Sequence, residues 1–449
     1  MRIFKRFEKI IFLFPLQLAF FHAHSQAYDF NAVDSLLNAN IHSVFHDKLV
    51  CMVMNDDSLI YYYHQGADSL TTGLVASATK TMSAALMLRL TQEGVINLDD
   101  SIARYYSFAS SIGKGGITLR GLFAHVSGLS GTTNYNSDAT ITLQQSADSI
   151  LAVDSLMYSP IGSMFCYTGE DQQVAGAAAE LAAGMNWDSL FAVKIAGPLG
   201  LENTTFTLTT STNPRVAGGM KTNSADMLRF GRFVLNNGKN IHGVQVIDSA
   251  LMQELWNDQT NHAFQVASPY PHHPENNNPY HADTIYYGIG TWLDIFNPSR
   301  HYQEQISADG AFGAIIWMNR CTNTVGVFQT FLPSSYFTTY PVEYKAMDIF
   351  RNAVPFTCYS TTSVNERHKK KTIDPIVHSN TSTNNTAFVT HLAGKAGEVT
   401  LFTINGRKLL SRQGTDGGIR IAVSTLKSGI YLVKFSADKA VEAKILLKE

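Results

Sequence analysis

The stretch VASATKTMSAALMLRLTQEG, residues 75–94, decides the fold of this 449-residue chain. Ser77 and Lys80 lie three positions apart, just before apolar residues that recur every three or four positions and end at Gly94: Met82, Ala85, Leu86 and Leu90. This pattern predicts a helix over residues 79–92 that Ser77 opens, and residues three apart share a face, so Ser77 and Lys80 are brought together. A serine hydroxyl is a good nucleophile once a nearby base takes its proton, and a desolvated lysine is such a base. The stretch therefore predicts Ser77 as nucleophile and Lys80 as its base.

The S-x-x-K spacing alone is a weak signal, because it occurs four times, starting at residues 77, 111, 424 and 436. Only the match at Ser77 opens a long helix with an apolar period. The alternative is that Ser77 merely caps this helix and that Lys80 is exposed to solvent.

Three further stretches favour the catalytic interpretation: GVINLDDS at residues 94–101, ITLRGLFAHVSGL at 117–129 and AGGMKTNSADM at 217–227. Together with the S-x-x-K motif they resemble the serine hydrolases of the class C β-lactamase and penicillin-binding-protein type, in order and spacing, over roughly residues 45–350. The resemblance implies an α+β domain over residues 28–360, with an antiparallel sheet flanked by helices plus a helical lobe.

The second motif of that family is Tyr-x-Asn, and its counterpart here is Tyr167-Thr168-Gly169. The resemblance implies that Tyr167 exchanges a proton with Ser77 and Lys80 and then protonates the leaving group. The alternative is a tyrosine packed in the core. Gly169 stands where the family has an asparagine amide that positions a substrate carbonyl.

The third motif lies on a strand beside the site, and ADGAFG at residues 308–313 resembles it. The backbone N–H groups of Ala311 and Ser77 are the expected oxyanion hole. With Gly169, residues Ala308 and Gly310 are the expected substrate-binding positions. Ala308 replaces a cation that would hold a substrate carboxylate, so esterase or peptidase-like activity is expected over efficient β-lactam turnover.

The two ends of the chain carry export signals. Four basic residues, an apolar run over residues 10–21 and Ser25-Gln26-Ala27 predict a signal peptide, residues 1–27, cleaved near Ala27. The alternative, a membrane anchor, needs roughly 20 apolar residues, and no later stretch is long enough.

Beyond a polar linker at residues 361–386, the alternating strands of residues 387–449 predict a small all-β sandwich. VTLFTINGR at 399–407, LKSGIYLVK at 426–434 and AKILLK at 443–448 resemble the type IX secretion sorting domain, which implies the type IX machinery as a partner. A carbohydrate-binding sandwich is the alternative, but the segment has few aromatic residues. Lys427-Ser428-Gly429 matches the family's third motif and lies in this domain, so we treat it as a chance match.

The remaining features are less specific. Helices are also expected over residues 173–183 and 342–352, and strands over 49–63, 288–295, 314–319 and 324–331. Cys51, Cys166, Cys321 and Cys358 allow disulfides in an exported chain, but buried thiols are an equal alternative and no pairing follows from their spacing. The histidines at 262, 272, 273 and 281 lie in a stretch rich in proline and asparagine that we interpret as a surface loop rather than a metal site.

These features predict an exported serine hydrolase that forms an acyl-enzyme from a small-molecule or peptide ester or amide, without metal or cofactor. A net charge of −2 gives no general attraction to nucleic acid. The alternative is a degenerate member that binds cell-wall peptide without turning it over.

Overall fold

The computed structural model describes residues 28–156, 159–260, 264–267, 286–297, 302–332, 336–358, 376–378, 386–390, 397–403, 408–414, 419–422, 426, 429–437 and 440–448. The chain divides into two compact units, Met1–Cys358 and Tyr359–Glu449. The predicted signal peptide and the histidines of the predicted loop lie outside the described residues. Within the described ranges, no helix is long and apolar enough to cross a membrane.

Helices and strands are mixed along the first unit. The helices are α1 Asn31–Asn40, α2 Thr79–Gln92, α3 Leu119–Phe123, α4 Leu143–Val153, α5 Glu170–Ala183, α6 Trp187–Phe191, α7 Gly197–Leu199, α8 Ser224–Leu235, α9 Ser249–Met252 and α10 Tyr336–Ala353. The strands are β1 Leu49–Asn55, β2 Ser58–Gln65, β3 Gly73–Leu74, β4 Met164–Cys166, β5 Thr205–Phe206, β6 Met220–Thr222, β7 Phe264–Ala267, β8 Trp292–Asn297, β9 Tyr302–Gly310, β10 Ala314–Asn319 and β11 Thr324–Thr330.

An antiparallel six-stranded sheet, in the order β2-β1-β11-β10-β9-β8, forms the centre of this unit. Along β1, Val50 and Met52 belong to the core cluster that includes α2, whereas Leu49, Cys51 and Val53 belong to the cluster that includes α1 and α10. Because successive side chains of a strand point to opposite faces, helices cover both faces of the sheet. The predicted α+β fold with a sheet flanked by helices is confirmed.

Helix α2 lies inside the unit rather than on its surface. Every residue from Thr79 to Leu88 is buried, whether apolar or polar. A helix buried on all sides has protein on all sides, so a charged side chain at its start loses contact with water. This burial applies to Lys80.

The predicted secondary structure is partly right. The helix at residues 79–92 and the strand at 314–319 are confirmed with the predicted bounds. The single strand over 49–63 is wrong, because the chain turns at Asp56, in the left-handed region (φ 49°), and forms the β1–β2 hairpin. The strand predicted from residue 288 begins only at Trp292. The Gly288 N–H donates a hydrogen bond to Thr291 O, which closes a tight turn before the strand.

One disulfide resolves the question that the cysteine spacing left open. Cys321, in the β10–β11 turn, is bonded to Cys358, beyond the end of α10. The backbone N–H and the hydroxyl of Thr357 both donate to Cys321 O. Cys51 and Cys166 are buried thiols. The end of the first unit is thus fixed to its central sheet.

The second unit is a small β domain, as predicted. Its strands are β12 Ile376–His378, β13 Thr386–Thr390, β14 Gly397–Thr403, β15 Lys408–Gly414, β16 Ile419–Ala422, β17 Gly429–Ala437 and β18 Ala440–Lys448. They form two antiparallel sheets, β12-β13-β16 and β15-β14-β17-β18. Strand β12 falls inside residues 361–386, so this stretch is not wholly the linker that its polar composition predicts.

Candidate active site

The predicted nucleophile lies on a short turn, Ala76–Ala78, that leads directly into α2. Val75 N–H donates to Met220 O of β6, and the Thr79 hydroxyl donates to Ala76 O at 2.6 Å. Ala76 has a φ of +44°, which is uncommon for a residue with a Cβ. The turn holds Ser77 partly exposed, while both its neighbours are buried.

Lys80 is buried, and its amine contacts the predicted nucleophile. Its Nζ donates to Ser77 Oγ and to Ala217 O, both at 3.0 Å. Burial, followed by the positive charge of Arg215, lowers the pKa of Lys80 to about 7, against an opposing effect of Glu170 and Asp171. The alternative of an exposed Lys80 is therefore wrong.

The match at Ser111 is different. The Ser111 hydroxyl donates to Phe108 O, and the Lys114 amine donates instead to the carbonyls of Leu151 and Asp154. Ser77 and Lys80 are therefore a contacting pair, whereas Ser111 and Lys114 each have separate partners.

Tyr167 lies beside this pair, at the end of β4. Lys80 Nζ is 4.6 Å from the centre of the Tyr167 ring. The indole of Trp292 stacks on the same tyrosine, with ring centres 5.1 Å apart. The structure thus brings Tyr167 together with Lys80, and its proton-transfer role stays a prediction.

His125 holds the backbone on both sides of Tyr167 and packs against its ring. No role for His125 was predicted from the sequence. Cys166 N–H donates to His125 O at 2.9 Å, and Thr168 N–H donates to His125 Nδ1 at 3.4 Å, so both neighbours of Tyr167 are held by one residue. The ring of His125 is 4.6 Å from that of Tyr167. His125 lies within the ITLRGLFAHVSGL stretch, which resembles the family. The sequence therefore marked this position, but not that its side chain holds the backbone on both sides of Tyr167.

Asp171 completes this support. Its carboxyl Oδ1 accepts from Ser127 Oγ at 2.7 Å, and its Oδ2 lies 3.3 Å from His125 Nδ1. Burial raises the pKa of Asp171 well above its usual value and lowers that of His125 well below its usual value. Burial therefore favours the neutral forms of both groups. The two side chains can then be buried near Tyr167 without an uncompensated charge.

The third motif lies at the end of β9, against the nucleophile turn. A Cβ on Gly310 would lie 2.0 Å from Val75 O, so only glycine permits this approach of the two backbones. The next residue, Ala311, is partly exposed. In the described part of the chain, neither Ala311 N–H nor Ser77 N–H donates a hydrogen bond, so both are available as the expected oxyanion donors.

The three expected substrate-binding positions differ in their surroundings. Ala308 pairs with Ile316 in β10 and is buried in the core cluster of α2. Gly310 is buried at the strand end, and Gly169 precedes α5 and is partly exposed. Their contact with substrate stays a prediction.

Arg215 and Ala217 both act on Lys80, and no role for either residue was predicted from the sequence. The Ala217 carbonyl accepts from its amine, and the charge of Arg215 lowers its pKa. Their effect depends on a loop folding back over α2, which no local pattern predicts. Across the described residues, His, Cys, Asp and Glu form no group of three that could hold a metal ion.

Two family models match parts of this chain. The family model described as Beta-lactamase matches residues 49–335, and the one described as Secretion system C-terminal sorting domain matches residues 381–449. No curated protein matches the chain.

Among solved structures, a candidate beta-lactamase from Bacteroides dorei DSM 17855 is 25% identical, with a TM-score of 0.64, over 72% of this chain and 99% of that one. EstCE1, a hydrolase with promiscuous acyltransferase activity, is 18% identical, with a TM-score of 0.57, over 71% of this chain and 97% of that one. A family VIII carboxylesterase is 14% identical, with a TM-score of 0.56, over 72% and 97%. The last two show likeness of fold alone. The chain belongs to the beta-lactamase family and ends in a type IX secretion sorting domain.

Proposed function

We propose that this protein is an exported serine hydrolase that cleaves an ester or amide through an acyl-enzyme on Ser77. The observation that carries the proposal is the 3.0 Å contact between Ser77 Oγ and the Lys80 amine, whose pKa burial lowers to about 7. Near neutral pH about half of such amines are unprotonated and able to accept the serine proton.

In the proposed reaction, Ser77 Oγ attacks the substrate carbonyl carbon as its proton passes to Lys80. The N–H groups of Ser77 and Ala311 bind the oxyanion of the tetrahedral intermediate. Lys80 and Tyr167 return the proton to the leaving group as its bond to the carbonyl carbon breaks. Water then attacks the carbonyl carbon of the acyl-enzyme and gives a proton to the same base. The base passes this proton to Ser77 Oγ as the ester bond breaks, which releases the acid and restores the Ser77 hydroxyl.

The proposed substrate class is a neutral ester or a small amide, rather than a β-lactam that is turned over efficiently. Ala308 offers no charge to a substrate carboxylate. The folds similar to this one include a carboxylesterase and a hydrolase with acyltransferase activity. The sorting domain supports export to the cell surface or the medium by the type IX machinery.

The test compares Ser77→Ala with the matched control Ser111→Ala in the full mature chain. We expect Ser77→Ala to lose covalent labelling by a fluorophosphonate and about 10³-fold or more of short-chain ester hydrolysis, while Ser111→Ala keeps both. Wild-type-like hydrolysis by Ser77→Ala would reject the assignment. A wild-type chain that binds cell-wall peptide but releases no product would favour the degenerate binding protein instead.

A further inference from the structure

Gly169 removes the asparagine amide of the second motif, and the amide of another residue lies close to the position that this side chain would occupy. A Cβ on Gly169 would lie 2.8 Å from Asn136 Nδ2, closer than real Cβ contacts allow. The amide of Asn136, from the turn Tyr135–Ser137, therefore occupies the space into which a side chain at position 169 would extend. This residue is 33 positions away in the sequence and lies in no family motif.

The position that a Cβ of Gly169 would occupy also relates this amide to the residues around the nucleophile. The Cβ position of Gly169 is also 3.8 Å from the Ala217 Cβ. The Ala217 carbonyl accepts from Lys80 Nζ at 3.0 Å, and the same Nζ donates to Ser77 Oγ. The Asn136 amide thus adjoins the residues around the Ser77–Lys80 pair.

The protein holds Asn136 in a fixed position. It is only 8% exposed, and its Oδ1 accepts from the Ser137 hydroxyl at 3.0 Å. The side-chain amide of Asn213 donates to Tyr135 O and Asp138 O, at 3.0 and 2.8 Å, and so ties down both sides of the turn.

The donor side of the Asn136 amide is available. Among the described residues its Nδ2 donates no hydrogen bond, although its oxygen has a partner. This nitrogen is not fully buried and keeps contact with solvent, so an incoming carbonyl oxygen would replace water as its acceptor.

We propose that Asn136 binds a carbonyl oxygen in the acyl part of the substrate, in place of the asparagine that Gly169 replaces. The inference rests on the proposed function and narrows its substrate class. The preferred acyl groups carry an amide carbonyl close to the scissile bond, as N-acyl-aminoacyl esters and amides do, whereas simple alkanoyl groups do not.

The test uses two nitrophenyl esters of equal acyl length, N-acetylglycinate and pentanoate. The first has an amide carbonyl that the second lacks. Losing one hydrogen bond to a neutral group should lower kcat/KM of Asn136→Ala for N-acetylglycinate about tenfold. For pentanoate the change should be less than about twofold. Asn136→Asp, which keeps the shape but offers acceptors only, should show the same selective loss.

Two further variants separate binding from folding. Asn134→Ala, an exposed asparagine of the same loop, should leave both esters unchanged. Asn136→Ala with Gly169→Asn moves the amide to the position that the family uses, and should recover part of the preference for N-acetylglycinate.

The outcomes are distinct. Hydrolysis that depends on Ser77, with equal losses on both esters or an unchanged ratio in Asn136→Ala, overturns this inference and leaves the proposed function standing. A wild-type chain that hydrolyses neither ester and is not labelled at Ser77 overturns the proposed function, and this inference with it.

Discussion

The pH dependence of hydrolysis should report the protonation of Lys80. The pKa of about 7 for the buried amine compares with an ordinary value of 10.5. At pH 8 about 90% of amines with a pKa near 7 are neutral, and at pH 6 about 10% are. If the neutral amine is the base, kcat/KM should rise about tenfold from pH 6 to pH 8 and then level off.

The assay is kcat/KM for a neutral acetate ester between pH 5.5 and 9, with the product separated by chromatography if it ionises in this range. Arg215→Gln removes the second cause of the low pKa of Lys80, so its profile should move to higher pH. The shift should be below about one unit, because Arg215 is partly exposed and screened.

Lys80→Met is the complementary variant, because it fills the same space without an amine. It should lose about 10²- to 10⁴-fold in activity at every pH. A flat wild-type profile, a midpoint near 10, or a Lys80→Met variant with the wild-type profile would refute the assignment of Lys80 as base.

Four further results are expected. Gly310→Ala should abolish most hydrolysis, since its Cβ would overlap Val75 O; wild-type activity would mean that the strand end does not form the site. Replacing Cys321 and Cys358 by serine opens a loop of 37 residues and should cost about 4 kcal/mol of stability by the chain-entropy model, seen as a lower Tm; an unchanged Tm contradicts this. Nitrocefin should show a kcat/KM about one to two decades below that of a neutral ester, because Ala308 supplies no cation, and the reverse order would require a cation elsewhere. A chain ending after Cys358 should be fully active when purified but remain in the periplasm of a host with type IX export; lost activity or normal surface delivery would count against it.

Local patterns predicted much of the fold and the centre of the site. The apolar period of α2 is local information. Ser77 lies on the helical turn that leads directly into α2, so its three-residue spacing from Lys80 brings the two side chains together without knowledge of the rest of the chain. Strand β10 was predicted with its bounds because five of its six residues are apolar and the last, Asn319, marks its end. The hairpin at Asp56 was missed although the four polar residues at 55–58, NDDS, are typical of a turn between two strands.

The groups that surround this pair could not be predicted in the same way. The charge of Arg215 acts on Lys80 across 135 positions of sequence, and the Asn136 amide reaches Gly169 from another element. The bond of Cys321 to Cys358 likewise depends on where α10 ends relative to the central sheet. Each is a long-range contact that depends on tertiary packing.

The central claim is that Ser77 is the nucleophile that carries the acyl group. A fluorophosphonate forms a stable phosphonyl bond with such a serine, so the most direct measurement is to locate that bond. The mature chain is treated with a fluorophosphonate, its intact mass is measured, and the modified peptide is identified by tandem mass spectrometry. The account predicts a single adduct per chain, on Ser77, that forms in Ser111→Ala and is absent from Ser77→Ala. An adduct on another serine, or none while ester hydrolysis proceeds, would contradict it.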